Sequence, residues 1–354
     1  MSDGGGREET VRGETGREET VRGETGRDEV TGKAVRDAVV VGGGPAGCSA
    51  AVFLAREGFD VAVFDRGRSS LARCAHLGNY LGFPAGIDVE TFHDLAHDHV
   101  ERAGADLVDD LVESVEPVES VEPVESIEER GDDAVAPRFR VTPQEGEPVT
   151  ARRVVAATRY DGEYLRGLDD DEAMFETRDH GGETREHFDR EYADPDGTTP
   201  VDGLYVASPS EADRQAITAA GRGARVARRV VTDARLADGW WPAAAEDVDW
   251  VRREAERDEE WADRGRWVEW FDERHADGPV DPDSDRFARI REAAIDSALS
   301  AYVEADEAET RATEGRRALA GHLDADAVVD AHGAEALLDA MNDEAIAAYE
   351  LEAR

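Results

Sequence analysis

Gly42, Gly44 and Gly47 stand in a G-x-G-x-x-G spacing, and Asp65 closes the next apolar run. Residues of these types in this order suit a phosphate-bearing dinucleotide. Gly42 permits a tight turn, and Gly44, having no side chain, lets a pyrophosphate approach the main chain. Gly47 allows the following helix to pack closely on a sheet. Pro45 and Ala46 complete the turn, and the helix N-terminus offers free N–H groups and the positive end of its dipole. Asp65 can accept hydrogen bonds from a ribose 2′-hydroxyl, and its charge disfavours a 2′-phosphate, hence NADP in this site. Arg66 follows directly and joins the expected cofactor-binding set.

The elements that must hold these residues are legible around them. Ala38-Val39-Val40-Val41 is a short apolar run of the kind that forms a buried parallel strand. A helical pattern runs through Cys48, Ala51, Val52 and Ala55 to Gly58. Val61-Ala62-Val63-Phe64 is a second strand ending at Asp65. Strand, glycine turn, helix and strand together give the context that the spacing alone lacks.

Other chemistry-bearing residues are less organised. Cys48 and Cys74 are the two cysteines and belong to no C-x-x-C pair, so neither a disulfide framework nor a cysteine metal site is expected. Cys74, with His76 two positions on, is read as structural rather than catalytic. Among His93, His97 and His99 only His93 and His97 share i,i+4 spacing, without an H-E-x-x-H frame. A solvated or capping role is expected for them, and no metal site.

Composition sets the surroundings. The chain has 354 residues, enough for two domains, and 40% hydrophobic content, enough for a sizeable core. Its net charge is −42, from 41 Lys+Arg against 83 Asp+Glu, and Lys33 is the single lysine. This balance resembles that of halophilic proteins, whose saline medium shortens the Debye length to about 3 Å or less and screens self-repulsion. No basic patch points to nucleic acid. No signal peptide and no apolar run of about 18 residues is found, so a cytoplasmic protein without a membrane span is expected.

Along the chain, residues 1–33 form an acidic tail in which GREETVRGET occurs twice, and it is read as disordered. Residues 34–235 form the nucleotide domain. Within it Val89 to Arg102 reads as a helix ended by Gly104, and 107–158 as strands. A second repeat, ESVEPV at Glu113–Val118 and Glu119–Val124, carries prolines that suit a hairpin edge. Residues 159–199 are charged and turn-rich with little core expected. Gly203 to Ala207 is a buried strand, and Gln215 to Val231 a helix. Residues 240–354 read as a helical region with stretches at about Asp247–His275, Ser284–Leu319 and Ala325–Glu352. All six tryptophans fall between Trp240 and Trp270, and packing is their expected use.

The segments DAVVVGGGPAGCSAAVFLAREGFDVAVFD, HLGNYLGFPAGIDVETF and VDGLYVASPSEADRQAITAAGRGARVARRVV together resemble the FAD-binding part of thioredoxin-reductase-like flavoproteins, in the pyridine-nucleotide disulfide oxidoreductase superfamily. The resemblance spans about residues 36–158 and 200–233. It implies an α/β fold, a Rossmann-like FAD/NAD(P)-binding domain with a β-meander, and FAD as cofactor. It nominates Gly42, Gly44, Gly47, Asp65, Asn79, Gln215 and Ala216 as cofactor-binding residues, with the helix beginning near Gln215 beside the pyrimidine edge of the flavin.

The chain also departs from that family. The C-x-x-C is absent, and the insert 159–199 is too short for the family's NADPH domain. Ser208-Pro209 replace the usual Gly-Asp, with Asp213 nearby, and Arg159 replaces the glycine of Ala-Thr-Gly. Two expectations follow. One is an FAD-dependent oxidoreductase without a redox disulfide, reduced by free NAD(P)H or by a partner protein, with the C-terminal helices covering the flavin or binding substrate. The other is a non-catalytic nucleotide-binding or scaffold protein. No catalytic residue, substrate, acceptor or oligomeric state is assigned; the resemblance alone makes a homodimer one candidate assembly.

Overall fold

A computed structural model describes residues 35–67, 69–118, 138–159, 162–180, 183–247, 253–254, 263–300, 302–341 and 346. The 1–33 tail and the second ESVEPV copy lie outside them. Strand β1 (Ala38–Val41) is wholly buried and is followed by helix α1 (Pro45–Arg56) and β2 (Val61–Phe64). Helix α2 (Val89–Ala103) begins where the Asp88 side chain accepts the Thr91 N–H, and it stops at Gly104 in the left-handed conformation. Strands β3 (Asp106–Val108), β4 (Val112–Pro117), β5 (Phe139–Pro143), β6 (Val149–Ala151) and β7 (Val154–Ala157) follow.

After β7 come the short helix α3 (Asp171–Met174) and a hairpin of β8 (Phe175–His180) and β9 (Glu183–Phe188). Then come β10 (Leu204–Ser208) and the long α4 (Ala216–Ala237). The parallel sheet has the order β10-β7-β1-β2-β3, and β4-β5-β6 form an antiparallel meander. The fold is α/β with a Rossmann-like parallel sheet.

Alternation along the strands sorts the core into two layers. Ala38, Val40, Val61 and Val63 face α1 and α4, where Ala50, Leu54, Val226 and Val230 pack. Val39, Val41, Ala62 and Phe64 face the meander and the hairpin, meeting Val115, Val141, Met174 and Phe188. A sheet covered on both faces explains why its strands are unbroken apolar runs. The first ESVEPV copy lies in β4, at the edge of the meander, with Pro117 paired to Phe139 at the strand end.

Two expectations are corrected. Residues 159–199 do carry core: Tyr164, Leu165, Met174, Phe175 and Phe188 are all buried, because the hairpin closes over the sheet's second face. The long C-terminal helices are also divided. The described elements there are α5 (Pro242–Ala245), β11 (Arg253–Glu254), α6 (Arg264–His275), α7 (Asp285–Ser300), β12 (Tyr302–Val303), α8 (Ala305–Gly321), α9 (Ala325–His332) and α10 (Ala334–Ala340). The expected Ser284–Leu319 helix breaks because Tyr302 and Val303 pair with Arg253 and Glu254. The last stretch breaks at Gly333, whose φ is +82°. Trp241 and Trp267 are buried, and Trp241 stacks on Phe287 with ring centroids 5.3 Å apart, so packing is their observed use. Among the described residues, no helix is long and apolar enough to cross a membrane.

Candidate functional site

The carboxyl ends of β1, β7 and β10 open into a cleft of about 620 Å³. Sites at this edge of a parallel sheet are the rule for open α/β folds. Gly42, Gly44, Pro45, Ala46, Asp65, Arg66, Asn79, Gln215 and Ala216 all line it, so four separated stretches of chain converge on one space. Gly47 stands behind the lining. A Cβ there would lie 1.8 Å from the Gly42 carbonyl oxygen, so the helix could not begin where it does.

The glycines divide their work. Gly42 has φ +109° and makes the turn. Gly44 has ordinary backbone angles, and a Cβ on it would meet only Ser69 Oγ at 3.4 Å. Its missing side chain therefore leaves room in the cleft rather than relief within the protein. Gly43, which the spacing leaves unassigned, makes room for Asp65: a Cβ would lie 2.6 Å from that side chain.

Two helices present their N-termini here. The first turn of α1 has no side-chain cap, and neither does that of α4, where Gln215 holds the N-cap position. Both helix ends therefore keep amide groups for a ligand and place partial positive charge at the cleft. Arg66, Arg73, Arg159 and Arg214 line the same space. Of these only Arg66 was singled out from the sequence as a ligand-binding residue. Arg73 lacks a local signal, Arg214 opens the Arg-Gln-Ala run of the third resembling segment, and Arg159 shows only as a replaced glycine.

Two of the cleft's three carboxylates, Asp110 and Asp213, are satisfied by internal donors. Asp110 accepts backbone N–H groups from Leu111 (2.7 Å), Gly146 (2.8 Å) and Glu145 (3.1 Å). Burial pushes its carboxyl up, but these donors outweigh that and lower its pKa. Asp213 accepts from Ser208 Oγ (2.8 Å), Ser210 N (2.7 Å) and Ser210 Oγ (3.1 Å), so it closes its own loop.

Asp65 accepts the Gly67 N–H with Oδ1 at 3.3 Å. Its Oδ2 faces His97 Nε2 at 3.2 Å and His93 Nε2 at 3.4 Å. Burial raises the Asp65 carboxyl, but the two histidines outweigh it and hold it well below the ordinary carboxylate range. The same contact raises His97. The expected solvated or capping role thus fails for His93 and His97: α2 turns both inward, against the end of β2. His99 meets Arg56 instead, and burial lowers its pKa.

Cys48 is buried in α1, and its thiol donates to the Gly43 carbonyl at 3.0 Å. Cys74 is exposed at the cleft rim. Among the described residues, none from the C-terminal helices lines the cleft, whose lining runs from Val41 to Ala219.

Residues 40–106 match the family described as NAD(P)-binding Rossmann-like domain. No curated protein matches the chain. Similar solved structures include a thioredoxin reductase from Gloeobacter violaceus, 17% identical with a TM-score of 0.43, covering 61% of this chain and 99% of that one. The atypical thioredoxin reductase from Desulfovibrio vulgaris Hildenborough is 18% identical with a TM-score of 0.42, covering 58% and 100%. Thioredoxin reductase from Giardia duodenalis is 15% identical with a TM-score of 0.40, covering 59% and 100%.

Proposed function

We propose that this protein is an FAD-dependent oxidoreductase that works by flavin-mediated hydride or electron transfer without a redox disulfide. The observation that carries the reading is the charge of the cleft. In a chain of net charge −42, four arginines and two uncapped helix N-termini line one space, and Asp110 and Asp213 are turned to internal partners. That arrangement suits an anionic dinucleotide. A volume of about 620 Å³ suits one molecule of that size.

Bound FAD would supply the hydride or electron transfer. The residues of this chain would bind and orient it. The α1 amides after Gly44 would receive the pyrophosphate, with Pro45 and Ala46 fixing the turn. Asp65 would accept from ribose hydroxyls, and Arg66 would add charge beside it. Asn79 and the α4 N-terminus at Gln215 and Ala216 would hold the far end, where the helix dipole favours negative charge. Tyr80, Leu71 and Leu77 would exclude water. With two cysteines in the chain and no C-x-x-C pair, the sequence supports a reaction without a redox disulfide. NAD(P)H is the proposed diffusible reductant, and a small molecule or partner protein the acceptor.

One observation favours a second reading, a non-catalytic nucleotide-binding or scaffold protein. Asp213 stands nearest the place of the family's ribityl-binding aspartate, and its oxygens are taken by Ser208 and Ser210. One experiment separates the two. Protein purified in high salt is examined for flavin absorption, then again after NADH or NADPH under argon. A flavin band that bleaches supports the enzyme. A flavin band that neither nicotinamide bleaches, in protein that reduces no artificial acceptor in a flavin-dependent way, supports the scaffold. A colourless protein that takes up no added FAD overturns the cofactor assignment.

A further inference from the structure

We propose that Asp65, His93 and His97 form a binding site for a divalent transition-metal ion of the zinc class, lying beneath the glycine turn. The three come from two elements that the fold fixes against each other. Asp65 ends β2, and His93 and His97 share one face of α2 by i,i+4 spacing. Ligand atoms, one from each residue, lie within 4.8 Å of one another: a carboxylate oxygen and an imidazole nitrogen of either histidine. The imidazole rings are 3.9 Å apart between centroids.

The distances suit a shared ion. Two ligands about 2.0–2.1 Å from a tetrahedral zinc ion sit about 3.3 Å from each other. Asp65 Oδ2 lies 3.4 Å from His93 Nε2 and 3.2 Å from His97 Nε2. His97 Nε2 also makes a hydrogen bond of 3.3 Å with the Gly43 carbonyl oxygen, a contact that a bound ion would replace.

Satisfaction of the buried atoms points the same way. The Asp65 side chain is 8% exposed and each histidine 20%. Despite the short separations, Asp65 Oδ2 and His93 Nε2 find no hydrogen-bond partner of proper geometry. Buried polar atoms without partners are costly, and such exceptions ask for an ion or a water. A donor set of two imidazoles and one carboxylate favours zinc and its first-row neighbours over magnesium or calcium, which prefer oxygen ligands throughout. The ion would tie α2 to the end of β2 and add positive charge next to Gly43.

The test needs no nucleotide, so its outcome is independent of the FAD reading. The full chain is stripped with chelator in high salt and titrated with cobalt(II), following the visible d–d bands. The expected result is a saturable band at one ion per chain, displaced by zinc, together with a rise in melting temperature that chelator reverses. His93→Gln and His97→Gln should each weaken binding by about 100-fold or more, since loss of groups that merely orient a ligand costs about 10–100-fold. His332→Gln, in the exposed last turn of α9, should leave binding unchanged. The absence of a saturable band in the wild-type protein overturns the site without reference to any variant. A band that persists in both folded variants, judged by near-UV circular dichroism, overturns it as well.

Discussion

A Cβ built on Gly223 would lie 2.0 Å from the carbonyl oxygen of Ala46. Helices α1 and α4 therefore meet backbone to backbone beside the cleft, and that meeting holds their two N-termini together. Gly223→Ala should push the helices apart and cost about 3 kcal/mol or more, the upper range for overpacking. Gly221, two positions earlier on α4, meets nothing within 4 Å. Gly221→Ala should raise stability by up to about 1 kcal/mol through helix propensity. Denaturant unfolding of the two variants in high salt checks both, and opposite signs are the expected result.

Gly44 and Gly47 should separate binding from stability in the same way. Gly47→Ala drives a methyl into the Gly42 carbonyl, 1.8 Å away, and should cost about 3 kcal/mol or more. Gly44→Ser meets almost nothing, and serine is a favoured N-cap, so stability should hold or rise by a few tenths of a kcal/mol. Its hydroxyl would take the α1 amides that a phosphate needs. Flavin affinity should therefore fall at least about ten-fold, or about 1.4 kcal/mol. Thermal melts and an FAD titration of each variant give the two readouts. Gly44→Ser protein that binds FAD as tightly as wild type would remove the phosphate from this turn.

The physical range of each interaction decides what the sequence could reveal. The β1, α1 and β2 unit is legible because its signals are local: an apolar run, three spaced glycines and a terminal acid. Gly43 is not legible, because its need for a bare Cα arises from Asp65, which arrives with the next strand. Asp65, His93 and His97 show the same limit. Helical spacing reveals that two histidines share a face, but only the docking of α2 on the sheet shows which face turns inward. Arg159 and Arg214 meet the cleft from segments far apart in the chain. Tyr302 and Val303 continue a helical apolar pattern until Arg253 and Glu254 supply a strand partner.

His275 should make the Trp-rich cluster sensitive to acid. It is buried, and the Trp241 indole N–H donates to its Nδ1 at 3.2 Å. Burial lowers its pKa, and the neighbouring Arg274 charge adds to this. A lowered histidine favours the neutral form in the folded state. Its contribution is therefore complete above the unfolded value of about 6.5 and is lost as pH falls through the lower folded value. Tryptophan fluorescence during unfolding at pH 8 and pH 5 should show a larger acid loss in wild type than in His275→Gln, whose amide oxygen can accept the indole N–H without titrating. Equal losses would show that His275 titrates as it does in the unfolded chain.

Cys48 should oppose alkali, with the reverse sign. Burial first, and then the charge of Asp65, push its thiol up to about 12. The unfolded thiol titrates near about 8.5, so the folded state holds a proton that the unfolded chain releases. The stabilisation is whole below that pH and declines by up to about 1.4 kcal/mol per pH unit as pH rises toward the folded value. Cys48→Ala should be less stable at neutral pH because it loses the thiol contact with Gly43, but it should lose less between pH 8.5 and 10. Thiol labelling gives an independent check. Cys74, exposed at the rim, should react promptly in folded protein, and the second equivalent should appear only on unfolding. Prompt reaction of both thiols at neutral pH would mean that α1 opens readily, and the alkaline difference between wild type and Cys48→Ala would then vanish.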